Sequence, residues 1–345
     1  MSGKVTLRDV AREAGVHTST ASRALNQETR AVVNPQTVDK VLAAARRLDY
    51  TPNPLARGLR TNRTMTVGIV IPDIENPLFG PIIAGAENEL GDEGYSLLIA
   101  DAERSDPASA AAIIDTLVER RVDGLILATA ARSDETIAAL VRRSIPAVLV
   151  NRTTDRIPFP SIAGDDQAGI GLAVEHVVGL GHRDIGHIAG PLHLSTGMGR
   201  YQAFLSSMQS LGLEVRPDGI EEATWFQVEP GYLAASALLD RRPDLTAIVA
   251  ANDLLALGAY RAVRERGKEV GIDVSITGYN DMPLLDLMQP PLTSVKVPYR
   301  QMGSEAAAML LSRLSYGGDS RRDRPVSVRL VPTLSVRDST RPPIT

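Results

Sequence analysis

Ser19, Ser22, Arg23 and Asn26 recur at spacings of three and four within VTLRDVAREAGVHTSTASRALN, residues 5–26, which sets hydroxyls, a guanidinium and an amide on one helical face. None is large and apolar, so this face is not made for a core. Its chemistry suits nucleic acid: Arg grips guanine O6 and N7 as a fork, while Ser, Thr and Asn bond base edges or phosphates. The plain counterpart is a solvated face in an unrelated bundle. A second conspicuous set is His176, His182, His187 and His193, out of 5 histidines in all. They fall on a predicted helix, turn, strand and loop, without the tight spacing of metal ligands, and no metal is expected. The chain has 0 cysteines, which excludes disulfides, thiolate catalysis and Cys-ligated zinc. IPDIENP stands after the first predicted strand where a dinucleotide site needs GxGxxG, and neither a GxSxG elbow nor a GxxxxGK(S/T) loop occurs. No catalytic set and no cofactor are predicted.

The polar face needs a helix pair to hold it. Thr6 is placed as an N-cap, with Asp9 able to return a bond to its backbone N–H. Leu7, Val10, Ala11 and Ala14 form one face of a short helix, Gly15 breaks it, and a second helix starts near Thr18 with Ala21, Ala24 and Leu25 inward. Ala11 and Ala21 are small, as a close crossing of two short helices requires. The pattern is a helix-turn-helix. QETRAVV reads as a loop, Asn34-Pro35 opens a third helix, and Val38, Val41, Leu42, Ala45 and Leu48 cover the first two, with Tyr50 closing the core. Then TPNPLARGLRTNRT combines two prolines with a second cap-plus-proline signal. A helix this short is unstable alone, so the stretch orders only against a partner, and Arg57, Arg60 and Arg63 nominate DNA. Leu55 or Leu59 is placed to wedge between base steps in a minor groove.

Charge is divided to match. Residues 1–63 carry 11 Lys and Arg against 5 Asp and Glu, a net +6, which leaves −10 on the rest of a chain whose total is −4. A cationic head on an acidic body confines phosphate affinity to one end. No apolar leader and no membrane-length apolar run are present, which predicts a soluble cytoplasmic protein. From Met65 short runs rich in Val, Ile and Leu alternate with helical stretches, the pattern of parallel sheets with crossover helices. Two such lobes in succession place ligands beyond the carboxyl ends of their strands, in a shared cleft.

VTLRDVAREAGVHTSTASRALN, TPNPLARGLR, VGIVIPDIENPLF, RVDGLIL, GHRDIGHIAGP, TGMGR, AANDLLALGAY and ITGYND together resemble bacterial transcription regulators of the lactose-repressor (LacI/GalR) family, over nearly the whole chain. The resemblance implies an all-α helix-turn-helix domain on a two-lobed, periplasmic-binding-protein-like α/β core. Its expected divisions are 1–51 for the head, 52–64 for a hinge helix, 65–163 plus about 291–321 for the first lobe, and 164–290 plus about 322–345 for the second. It implies a repressor that binds a pseudo-palindromic double-stranded operator as a homodimer, with paired hinge helices in the central minor groove. By position, Thr18, Ser19 and Arg23 would face bases; Thr6, Thr20, Ser22 and Asn26 would meet phosphates; Leu59 would intercalate, with Ala56 and Arg57 beside it.

The same resemblance places effector contacts at Leu78, Phe79, Asn151, Thr196, Arg200, Phe226, Asn252 and Asn280. A donor fork, amides and flat apolar faces suit a polyhydroxyl compound such as a sugar, or a nucleoside. Asn at 151 and 280 stands where sugar-binding members often carry Asp. Leu194 stands where purine-responsive members carry Arg, which argues against a purine corepressor. Asp73 and Asp253 are candidates for hydroxyl contacts, Asp253 equally for a helix cap, and Trp225 is expected to pack away from the cleft. Most effector positions resemble inducible members, so ligand is expected to release DNA. VRDSTRPPIT at the C-terminal side of Leu334 shows no heptad repeat, which argues against a tetramerising coiled coil. A solute-binding protein would explain the lobes alone, and an enzyme would explain only the α/β texture; a ligand-responsive regulator explains head, hinge and lobes together.

Overall fold

The computed structural model describes residues 5–50, 63–102, 107–315 and 326–344. The chain divides into two compact units, Met1–Thr64 and Met65–Thr345.

In the first unit, α1 (Leu7–Glu13) and α2 (Thr18–Leu25) are joined by a turn whose geometry explains Gly15. Gly15 has φ +66°, and Val16 N–H returns to Ala11 O at 2.9 Å while Gly15 N–H reaches Arg12 O at 3.2 Å. That double closure ends a helix in left-handed backbone, where only glycine is unstrained. Helix α4 (Pro35–Arg47) is capped by Asn34, whose Oδ1 accepts Gln36 N–H at 2.9 Å. Val10, Ala11, Ala21, Ala24, Val38, Val41, Ala44 and Ala45 form the core, with Tyr50 packed against it. Five of these eight are alanines, which lets the helices cross closely. The stretch expected as a loop contains a further short helix, α3 (Gln27–Arg30). Arg30 Nε donates to Ala24 O at 3.0 Å and Thr29 Oγ1 to Arg23 O at 3.1 Å, so the end of α2 templates a turn that apolar periodicity does not signal. The expected hinge contacts Ala56, Arg57 and Leu59, with Leu55 and Arg60, lie outside the described residues.

The second unit contains two six-stranded sheets. The first holds β1 (Thr66–Ile71), β2 (Ser96–Asp101), β3 (Gly124–Leu127), β4 (Ala147–Val150), β5 (Ser161–Gly164) and β11 (Ser327–Leu330), in the order β11-β5-β4-β3-β1-β2. The second holds β6 (Ile185–Ala189), β7 (Ile220–Glu222), β8 (Ala247–Ala250), β9 (Ser275–Asn280), β10 (Thr293–Lys296) and β12 (Thr333–Ser335), in the order β12-β10-β9-β8-β6-β7. All neighbours are parallel except β10 and β12. Fully apolar strands such as Gly124–Leu127 and Ala147–Val150 are buried throughout, as sheets covered on both faces require. The covering helices are α5 (Phe79–Asp92), α6 (Pro107–Glu119), α7 (Glu135–Arg143), α8 (Asp166–Gly179), α9 (Ser195–Ser210), α10 (Val228–Arg241), α11 (Asp253–Glu265) and α12 (Tyr299–Ser315).

The C-terminal crossings differ from the sequence-based divisions. Residues 293–296, expected with the first lobe, pair with β9 in the second sheet. Residues 327–330, expected with the second lobe, pair with β5 in the first. Helix α12 between them packs on α5 of the first lobe, as expected. Each misplaced segment is a short strand of ordinary hydropathy: Thr293 pairs with Thr277, only a short way back along the chain, whereas Ser327 pairs with the distant Ser161. Among the described residues no helix is long and apolar enough to cross a membrane.

Candidate functional site

Two sets of polar side chains stand out, one in each unit. In the head, Asp9 Oδ2 accepts the Thr6 backbone N–H at 3.0 Å and the Thr6 hydroxyl at 2.6 Å. These bonds, the hydroxyl first, hold the Asp9 carboxyl below its usual pKa. The start of α1 is thereby fixed, and the Thr6 hydroxyl points its proton at Asp9 rather than outward. His17 proves to be the cap of α2: its Nδ1 accepts Ser19 N–H at 3.3 Å and lies 2.8 Å from Ser19 Oγ. Ala21 and Ala24 are buried, so α2 turns Ser19 and Arg23 outward as exposed residues, with Thr18, Thr20, Ser22 and Asn26 half-buried beside them. A capped two-turn helix thus presents short hydroxyls and one long guanidinium on a convex surface, the arrangement needed to enter a major groove.

In the body, Leu78, Phe79, Asn151, Thr196, Arg200, Phe226, Asn252 and Asn280 all line a single cleft, joined by Asp73, Asn76, Arg152 and Trp225. Each sits just past the carboxyl end of a strand or in the first turns of the helix that follows. Backbone shape selects the amides: Asn151 has φ +65° and Asn280 φ +120°, conformations Asn tolerates better than most residues. Asn252 caps α11, its Oδ1 accepting Leu255 N–H at 2.9 Å, and Asn280 Oδ1 accepts the Tyr299 hydroxyl at 2.7 Å. Arg200, only 4% exposed, donates from Nε to Asp166 at 2.9 Å and from Nη1 to Ala251 O at 2.8 Å, with Tyr279 stacked 3.9 Å away. Burial opposes its charge, but Asp166 overrides that and keeps the guanidinium above its ordinary pKa. Phe226 lies over Gly190, where a Cβ would fall 2.2 Å from the ring, so glycine there makes room for the aromatic wall. The cleft is drawn nearly shut, with a free volume of about 30 Å³. Gln227 Nε2 spans it to Asp73 Oδ2 at 3.3 Å, and Arg132 Nη1 reaches Leu192 O at 3.3 Å.

Some residues are not where sequence reasoning put them. Trp225 lines the cleft, 6.5 Å from His193 ring to ring, instead of packing elsewhere. Asp253 neither caps α11 nor reaches the cleft. It turns inward, accepting from Ser294 Oγ at 2.5 Å and Met282 N–H at 2.9 Å, and burial pushes its pKa up to about 7. Arg152 escaped notice, although its position directly after Asn151 at a strand end was signal enough. The histidines hold separate structural posts: His176 bonds Thr340, His182 bonds Thr246 and Arg341 O, and His187 stacks on Phe204 at 4.6 Å.

A helix-turn-helix head on a two-lobed, periplasmic-binding-type core with a polar cleft at the strand ends defines a ligand-responsive DNA-binding regulator. Residues 6–53 match the model for bacterial regulatory proteins of the lacI family, and residues 174–340 the model for a periplasmic binding protein-like domain. The chain is 34% identical to the HTH-type transcriptional repressor PurR of Yersinia pestis (strain Pestoides F), over 97% of this chain and 96% of that one. It is 32% identical to PurR of Pasteurella multocida (strain Pm70), over 97% and 98%. The solved Lac repressor dimer bound to operator and the anti-inducer ONPF superposes with TM-score 0.86 at 31% identity, over 98% of this chain and 99% of that one. The regulator CelR in complex with cellobiose gives 0.74 at 30%, over 97% and 99%. The protein belongs to the lacI family of bacterial regulatory proteins, and it is a DNA-binding transcriptional regulator.

Proposed function

We propose that the protein is a repressor that binds a pseudo-palindromic operator as a homodimer, in the cytoplasm and without catalytic activity, and releases it when a small polar ligand enters the cleft. The observation that carries this reading is convergence: eight effector positions assigned from sequence, spread from residue 78 to residue 280, line one cleft. Thr18, Ser19 and Arg23 serve as base contacts, and Thr6, Thr20, Ser22 and Asn26 as phosphate contacts. The hinge, with Ala56, Arg57 and Leu59, serves the minor groove. Because Thr18 and Ser19 are short, direct readout rests on Arg23, whose bidentate grip on guanine is worth about 1–3 kcal/mol against a wrong base.

The mechanism is a linkage. Ligand in the cleft changes the angle between the lobes, that angle sets the spacing of two hinges in the dimer, and the hinges pair or melt accordingly. The ligand's preference for one lobe arrangement supplies the coupling, typically about 1–3 kcal/mol. Anisotropy titrations on a pseudo-palindromic duplex at two salt concentrations test the DNA half: affinity is expected to fall steeply with salt. Arg23→Ala is expected to abolish discrimination between operator and random duplex. Negligible binding to any duplex overturns the assignment, and equal loss on both sequences makes Arg23 a phosphate anchor instead. Tighter operator binding on addition of a cleft ligand reverses the sign.

A further inference from the structure

We propose that the ligand of the cleft carries an anionic oxygen group, a carboxylate or a phosphate, seated between the guanidinium groups of Arg152 and Arg200. The inference rests on the reading of this cleft as the effector site and narrows its occupant. The first argument is an inventory of donors and acceptors. Asn252 and Asn280 both spend their side-chain oxygen inside the protein, on Leu255 N–H and the Tyr299 hydroxyl, so each offers its NH₂ to a ligand. Asn76 Oδ1 is committed to Leu78 N–H, and the Asp73 oxygens to Glu75 N–H and Gln227. The amide oxygens of Asn76, Asn252 and Asn280 are thus engaged inside the protein, and the NH₂ groups of Asn252 and Asn280 join the two guanidinium groups as donors facing the cleft. An acceptor-only group is the complement.

The second argument is charge. Arg152 and Arg200 are both 4% exposed in one cleft. Asp166 balances Arg200 at 2.9 Å. Arg152 Nη1 donates to Thr129 O at 3.5 Å. Burial, and then the neighbouring Arg200, draw the Arg152 pKa down to about 10. An incoming anion removes both penalties at once. The third argument is orientation: Trp225 lies 5.9 Å from the Arg152 guanidinium, and Tyr279 3.9 Å from that of Arg200. Rings on the guanidinium faces leave the N–H edges to grip a planar carboxylate or a phosphate in pairs.

Trp225 is the 1 tryptophan of the chain, so its emission reports on the site directly. Full-length protein free of DNA is titrated, at fixed ionic strength, with inorganic phosphate, D-glucose, D-glucuronate and D-glucose 6-phosphate, following Trp225 fluorescence and melting temperature. Inorganic phosphate is expected to change both signals. At least one charged sugar is expected to bind about tenfold or more tighter than D-glucose, the gain of one hydrogen-bonded charge contact. The tighter of the two names the group. Arg152→Met is expected to erase that preference, and Arg152→Lys to keep part of it. Silence toward all three anions, parity with D-glucose, or an Arg152→Met protein that keeps the preference overturns the proposal; should Arg152→Met not fold, the wild-type series and Arg152→Lys decide it. A neutral ligand that releases operator sinks the charge assignment and leaves the regulatory reading standing. Anion binding that never alters operator affinity does the reverse.

Discussion

The head and the cleft are both polar, yet they are put together on opposite principles. In the head, the bonds that aim the polar face span only a few residues: Thr6 to Asp9, His17 to Ser19, Asn34 to Gln36. In the cleft short caps such as Asn76 to Leu78 and Asn252 to Leu255 are tied together by bonds of large separation, as from Gln227 to Asp73, 154 residues apart, or Arg200 to Ala251 O, 51 apart. A surface made of local bonds holds its shape on a very small core and leaves its reading groups exposed, free to adjust to a duplex. A site made of distant bonds exists only when the whole body is folded, and its groups are buried and fixed in advance. Specificity in the first comes from what it meets, in the second from how it was built.

Four measurements would break or sharpen this contrast. The largest effect is expected from Arg200→Ala, which leaves Asp166 without its buried partner. Loss of one member of such a pair costs about 3–5 kcal/mol. Denaturant titration should show the body weakened by that order, with ligand response gone and operator binding retained. A body of unchanged stability would mean that Arg200 is not part of the framework.

Next comes Asp253→Asn. The native pKa of Asp253, about 7, lies above the 3.8 of an ordinary Asp. Burial is the main cause, with Asp281 raising it further and Arg200 and two hydrogen bonds opposing. The native state therefore keeps a proton that the unfolded chain has lost, and this group's contribution falls as pH climbs from about 4 to about 7. His187, buried and held near 4, acts in the opposite sense, since unfolding lets it take up a proton. The amide should erase the Asp253 part alone. Relative to wild type, the variant should gain up to about 1.4 kcal/mol per pH unit across that window, measured by denaturation at pH 5 and pH 8. A difference independent of pH would refute the assignment.

Ala21→Leu inserts bulk into the crossing of α1 and α2, at a residue 0% exposed. Overpacking costs about 1–3 kcal/mol, enough to unfold much of so small a domain. Operator binding should collapse while the melting of the body is unmoved; a shift in both would show that the units do not fold separately. Least is expected from His17→Ala, which removes the cap of α2 for about 1 kcal/mol. His17→Asn should restore what is lost.

The same contrast decides what was legible in the sequence. Caps, periodicity and the Gly15 turn are short-range signals, and the head follows them except at α3, where the end of α2 supplies the template. In the body the strands and helices were legible one by one, while the cleft residues came from the family resemblance, with which their places near strand ends agree. What escaped was the choice of partner among elements. Residues 293–296 and 327–330 changed sheets relative to expectation, and nothing in TSVK or SVRL says which edge it will join. Asp253 was misjudged for the same reason: the Ser294 and Met282 that turn it inward are 41 and 29 residues away. Trp225 reaches the cleft through a loop whose course no period describes, whereas Arg152 stands two residues past the end of β4, where the signal was present.

Strands β11 and β12 lie within the last stretch of chain, each at the border of a different sheet, and the residues beyond them bury Ser339 completely and Thr340 almost so. Neither sheet is complete until these two strands are in place. A message cut short upstream of residue 326 yields two unfinished sheets with bare borders, open to proteolysis and to stray strands. A copy lacking this segment is defective in both halves of its body at once.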